Sequence, residues 1–172
     1  KLSSDYVSED KSTQMFFAET QNKLLYAVTH HTAAEIVIER ADAQKQNMGL
    51  TSWKGSIVRR QDVIIAKNYL SNEELDKLNR LVTIFLESAE LRVKERKDLT
   101  IDFWRKNVDS MLSFQGQDVL SGKGSISNQQ MEKQVLRIYD KFDKRRKALD
   151  AAEADRQDML ELRELEESIK HR

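Results

Sequence analysis

The sequence has neither proline nor cysteine, and its five glycines fall in two short stretches, 49–55 and 116–124. Without proline nothing in the chain must break a helix, so interruptions are left to glycines and capping residues. The lack of cysteine excludes disulfides, thiolate metal sites and thiol nucleophiles together, which fits a reducing cytosol. Histidine occurs three times, too few nitrogen ligands for an ordinary zinc or iron centre. Neither sign of charge prevails: 29 Lys and Arg stand against 29 Asp and Glu, so chain-wide attraction to nucleic acid is excluded while a local basic patch is not. No apolar run approaches a membrane span, and the opening KLSSDYVSEDKST lacks the core and cleavage pattern of a signal peptide. A soluble, cytoplasmic protein without a membrane partner is expected.

What is present points to helix. Charged residues make up 34% of the 172 positions and hydrophobic residues 39%, a low apolar share that predicts one segment lying outside the core. The fold class expected is all-α: a helical bundle followed by a long C-terminal helix with coiled-coil character. The organisation expected is a flexible N-terminal segment (1–11), an all-α globular domain (12–116), a Gly/Ser linker (117–127) and the long helix (128–172). The lysine at position 1 further suggests part of a longer protein.

From about Ser12 the chain carries Phe16, Phe17, Leu24, Tyr26, Ala27 and Val28, dense enough for a buried helix. Thr32 with Glu35, Ser71 with Glu74 and Ser127 with Gln130 each have capping-box spacing, so a helix should open at each. The first of these places Ala33, Ile36, Val37 and Arg40 on one face. Between them, RRQDVIIAKNYL reads as a short helix burying Val63, Ile64 and Ala66 or Tyr69. After Ser71, an apolar stripe of Leu75, Leu78, Val82, Phe85, Leu86, Ala89 and Val93 predicts the spine of the core, lasting to about Lys97. Thr100 caps a further helix with Phe103, Trp104, Val108, Met111 and Leu112 on its face, ending at Gly116.

From Asn128 onward there is no glycine, and a single helix of this length would extend about 65 Å, more than a domain of this size can cover. Met131, Val135, Ile138, Phe142, Leu149, Ala152 and Met159 follow a four-three spacing with a gap at Arg145, while Leu162, Leu165 and Ile169 resume it out of phase. Between Arg137 and Asp150 six basic residues face three acidic ones, and between Ala151 and Ser168 seven acidic residues face two basic ones. Two copies laid antiparallel would match opposite charges, so a homodimer through this helix is expected, with Val135, Ile138, Phe142, Leu149, Met159, Leu162 and Leu165 as interaction residues. The plainer alternative is a solvated helix whose charges pair internally, or one that folds back on its own domain.

The words HTAAEIVIERADA, NMGLTSWKG, DVIIAKNYL, LNRLVTIFLESAE and DFWRKNVDSMLSF, in that order, resemble the bacterial virulence protein RhuM family over roughly residues 16–127. The resemblance implies a bacterial cytoplasmic protein, often encoded on pathogenicity islands or other mobile elements. It also implies that this chain follows an N-terminal region similar to helix-turn-helix DNA-binding domains, through which DNA would be contacted. The family name records a genomic setting and no reaction, so it supplies no catalytic residue.

Three constellations invite a chemical reading. His31, Glu35 and Glu39 recur at four residues, as a helical metal site would require, but Glu35 is already used by the capping box. In the stretch Asn47 to Gly55, Trp53 and Lys54 precede a glycine, with Arg59 and Arg60 close behind; these four are the candidate anion- or nucleic-acid-binding residues. No Walker pattern is formed, and a tryptophan that plugs the loop onto the core explains Trp53 as well as a stacking platform does. No serine is set beside a base, so no catalytic residue, metal or cofactor is expected. The function expected is a non-enzymatic interaction or dimerisation module that supports or regulates a DNA-binding part; the competing reading is a ligand- or nucleic-acid-binding domain, conceivably enzymatic, with its site at Asn47 to Gly55.

Overall fold

The structure, a computed structural model, describes residues 10–95 and 99–170. Among these it forms five α-helices and no strand: α1 (Lys11–Thr29), α2 (Ala33–Arg40), α3 (Asn72–Lys94), α4 (Ile101–Phe114) and α5 (Asn128–Lys170). The all-α fold with a long terminal helix is therefore observed. Residues 1–9, most of the segment expected to be flexible, and the end of the α3 stripe near Lys97 lie outside the described residues.

Local chemistry sets the helix starts. Asp10 accepts from the Ser12 amide at 3.2 Å to open α1. All three predicted capping boxes form: the Glu35, Glu74 and Gln130 side chains return to the amides of Thr32, Ser71 and Ser127 at 2.8, 2.8 and 3.0 Å. Thr100 opens α4 by accepting from the Phe103 amide at 3.2 Å. Each cap satisfies amides that have no partner within the helix, which is why the four motifs fall at helix boundaries.

The core is shared by α1 to α4, the long connection between α2 and α3, and the first part of α5, with Ile36, Val37, Met48, Val63, Val108, Leu112 and Val135 fully enclosed. A smaller aromatic cluster joins Phe16, Ala89, Leu99, Ile101 and Trp104, with Phe85 and Phe103 edge-on to the Trp104 ring at 5.9 and 5.2 Å. Arg40 at the end of α2 ties the body to the start of α3, donating to both Glu74 carboxylate oxygens at 2.6 and 2.7 Å and to the Tyr69 carbonyl at 2.9 Å.

Three expectations are corrected. Phe17 is exposed while Leu25 is buried, because Phe16 and Phe17 stand about 100° apart on a helix and only one can face the core. On α3, Leu86 and Val93 point outward and Leu81 is buried instead. Residues 59–70 are not an α-helix but a run of tight turns ending in the 3₁₀ helix Ala66–Tyr69. Asp62, Ile65, Asn68 and Leu70 each donate to the carbonyl three residues back, and the Arg59 amide donates to the Asp62 carboxylate at 2.9 Å. This compact winding buries Val63, Ala66 and Tyr69, while Ile64 is only half-buried.

Candidate functional site

The glycine-containing loop is shaped, as its composition suggests, but its plug is Met48. Asn47, Met48 and Gly49 adopt left-handed backbone in succession, with φ of 52°, 60° and 84°. The Met48 side chain is fully buried, and its carbonyl accepts from the Asp42 amide at 3.2 Å. A Cβ on Gly49 would lie 2.5 Å from the Arg40 carbonyl oxygen, so the close approach of the loop to the end of α2 requires glycine there. No periodicity marks Met48 in the sequence; the neighbouring Gly49 is its only trace.

Trp53 packs half-buried against the core, with its indole nitrogen enclosed and without an acceptor among the described residues. Lys54, Arg59 and Arg60 are exposed. Arg60 is drawn away to α5, where it pairs with Asp140 and lies over the Tyr139 ring at 5.9 Å. Of the four predicted residues, Lys54 and Arg59 are therefore the cations whose side chains have no partner among the described residues.

The His31 ladder does not converge. The His31 ring bonds to the Thr29 carbonyl at 2.8 Å and stands 3.4 Å from Glu39, while Glu35 turns to the linker. There one Glu35 oxygen accepts from the Ser125 amide at 2.7 Å and from its hydroxyl at 2.6 Å. Burial opposes the charge of Glu35, but the bonds from Ser125 and Thr32 outweigh it and lower its pKa from 4.5 to about 2. With the Thr32 amide on its other oxygen, Glu35 clasps the linker onto the start of α2. Among the described residues no group of three or more His, Asp or Glu could hold a metal ion.

Two open clefts flank this linker. One, about 740 Å³, lies between His30, His31, Glu39 and Lys123, and the other, about 560 Å³, between Met15, Asn22, Lys23 and Leu120. Neither is lined by the Asn47 to Gly55 loop.

The long helix divides into two parts. Met131, Val135 and Phe142 are buried and Ile138 half-buried against the body, chiefly across α2. These residues pack on the core of their own chain, which removes Val135 and Phe142 from any surface offered to a partner and leaves Ile138 only partly accessible. From Lys147 to Ile169 every residue is exposed, about 35 Å of helix. Glu153, Arg156 and Leu160 stand 18 residues, or about five whole turns, beyond Val135, Ile138 and Phe142 and therefore continue the core-facing side, with Leu149 between them. By the same spacing Met159 and Leu162 continue the side of Lys141 and Lys144, and Ile169 that of Lys133. The apolar seam changes sides near residue 150, so the seven predicted interaction residues lie on two faces.

Charges follow the same division. In the first part Asp140 pairs with Arg60, and Asp143 and Asp150 pair with Arg146 at 2.7 and 2.8 Å, Asp143 also with Lys147 at 2.8 Å. The hydrogen bonds from Lys147 and Arg146 hold the Asp143 carboxyl below its ordinary value. Lys133, Arg137, Lys141 and Lys144 have no such partner among the described residues and form an exposed stripe. In the second part Glu153 pairs with Arg156, and Asp155, Asp158, Glu161, Glu164, Glu166 and Glu167 are unpaired among the described residues. For all the length of α5, no helix among the described residues is long and apolar enough to cross a membrane.

No curated protein and no solved structure matches this chain. The family model described as the virulence protein RhuM family matches residues 1–150 and so spans the helical body and the packed part of α5, leaving all but the first residues of the free end beyond it. With the sequence words, the helical body and this match in agreement, the chain belongs to the virulence protein RhuM family.

Proposed function

We propose that this chain is a non-enzymatic interaction module that associates with a second copy of itself through the free part of α5. The observation that carries this reading is the unbroken exposure from Lys147 to Ile169, with Leu162, Leu165 and Ile169 57%, 58% and 72% accessible on a stretch of helix that no other described residue covers. Apolar side chains displayed over about 35 Å of helix favour burial against another surface. Among its described residues the body, by contrast, presents no motif that sets a nucleophile beside an activating base, and the carboxylate of Glu35 is held as a clasp by Thr32 and Ser125.

In the setting that the family resemblance implies, pairing of the helices would bring two DNA-reading regions together, as two-fold operators require. Light scattering on the chain at micromolar concentration tests the reading. A dimer is expected, converted to a monomer of unchanged helicity by Leu162→Asp with Leu165→Asp, since both positions are exposed in the single chain. A monomer at every concentration up to about 100 µM, an affinity weaker than about −5.5 kcal/mol, would rule the reading out.

A further inference from the structure

We infer that the second copy binds antiparallel, with its acidic end laid over the basic stripe Lys133, Arg137, Lys141 and Lys144 on the side of α5 that faces away from the body. This rests on the self-association proposed above and specifies which surfaces meet.

The sequence pattern suggests antiparallel charge matching but does not say which side of the helix a partner meets. The structure distinguishes the sides. One side of the packed part of α5 is occupied by its own domain, so a partner can approach only from the other side. That free side carries the four cations unpaired among the described residues, while Asp140, Asp143 and Asp150 are neutralised by Arg60, Arg146 and Lys147. The local surface is therefore more basic than the six-to-three residue count implies.

On the distal part the same side bears Met159, Leu162 and Ile169, interleaved with Asp155, Asp158 and Glu166. Two distal parts placed against each other would bring seven acidic residues toward seven, with Arg156 already engaged by Glu153. Like charges so close resist pairing in either direction. A distal part placed on the packed part of the other copy meets opposite charge throughout, and its leucines and isoleucine rest on the aliphatic stems of lysine and arginine. Antiparallel alignment satisfies this twice by symmetry, each basic stripe being sandwiched between its own domain and the partner's helix.

Charge reversal on the intact chain tests the arrangement. Lys141→Glu with Lys144→Glu should raise the dimer dissociation constant at least tenfold at low salt, and adding Asp155→Lys with Asp158→Lys to the same chain should restore most of it. All four positions are exposed, so far-UV circular dichroism should show unchanged helix content. A spin label on Ile169→Cys gives the direction independently, since the chain has no other cysteine. Labels on the two copies should lie tens of ångströms apart in the antiparallel dimer and side by side in a parallel one. A dimer indifferent to the stripe reversal, or with adjacent labels, would overturn the arrangement while leaving self-association intact; a wild-type chain that never dimerises would end both.

Discussion

At the scale of single residues, two groups carry information that their neighbours do not. Gly49 and Gly55 have nearly the same backbone, with φ of 84° and 90°, so alanine is strained at both. Only Gly49 faces a backbone oxygen, at 2.5 Å, whereas nothing lies within 4 Å of a Cβ on Gly55. Gly55→Ala should cost about 1 kcal/mol and Gly49→Ala about 2–3 kcal/mol or more in urea unfolding, the difference measuring the contact with the end of α2. Glu35 supplies the second case. Its folded pKa lies near 2 against an ordinary 4.5, so the stabilisation from its ionised form is complete above about pH 4.5 and is lost as pH falls toward 2. Glu35→Gln should therefore be less stable than wild type at pH 7, by about 1–2 kcal/mol after solvent screening, and the gap should close by pH 2. Urea midpoints measured across that range will show it.

At the scale of elements, α5 follows two rules along one axis. Phe142 and Leu160 stand on the same side of it, about five turns apart, yet one is buried in the body and the other is exposed beyond it. Phe142→Ala should cost about 3–5 kcal/mol, and Leu160→Ala should stay within about 0.5 kcal/mol, since truncation creates a cavity only where atoms surround the ring. Thermal or chemical unfolding of the two variants checks this. Helix starts were legible because a cap is a matter of three or four neighbouring residues. The segment 59–70 reads as one short helix, yet only Ala66–Tyr69 is helical, because Val63, Ile64 and Ala66 fit either winding. The Asp62 side chain accepting from the Arg59 amide, and the Thr51 amide and hydroxyl accepted by Asn68, select the turn form from groups that no periodicity reports.

At the scale of the whole molecule, a body of about 130 residues is roughly 35 Å across, and a helix of about 65 Å must overhang it. Mass action then links stability to concentration: the melting temperature should rise as protein concentration rises from about 1 to 100 µM, because dimerisation stabilises only folded chains. The rise should shrink in about 1 M salt, where screening falls to roughly 3 Å and exposed charges cease to attract. Differential scanning calorimetry at two salt concentrations would read both effects; a melting temperature independent of concentration would speak for a solitary chain. The loop around Trp53, read from sequence as a second place to seek a site, proves to be braced by Met48 and Gly49, with Arg60 committed to Asp140.

The sequence by itself determined the helical class, the capped starts of four helices and the overlong final helix, since backbone preference, capping and the absence of proline act over a few adjacent residues. Only the tertiary structure decided which side of each amphipathic stretch is covered: Phe16 over Phe17, Leu81 over Leu86, and Val135 and Phe142 drawn into the core while Leu162 and Leu165 are left outside. Burial depends on surfaces brought together from distant parts of the chain. An apolar residue of α5 therefore has the same local signal whether the body reaches it or ends a few turns before it.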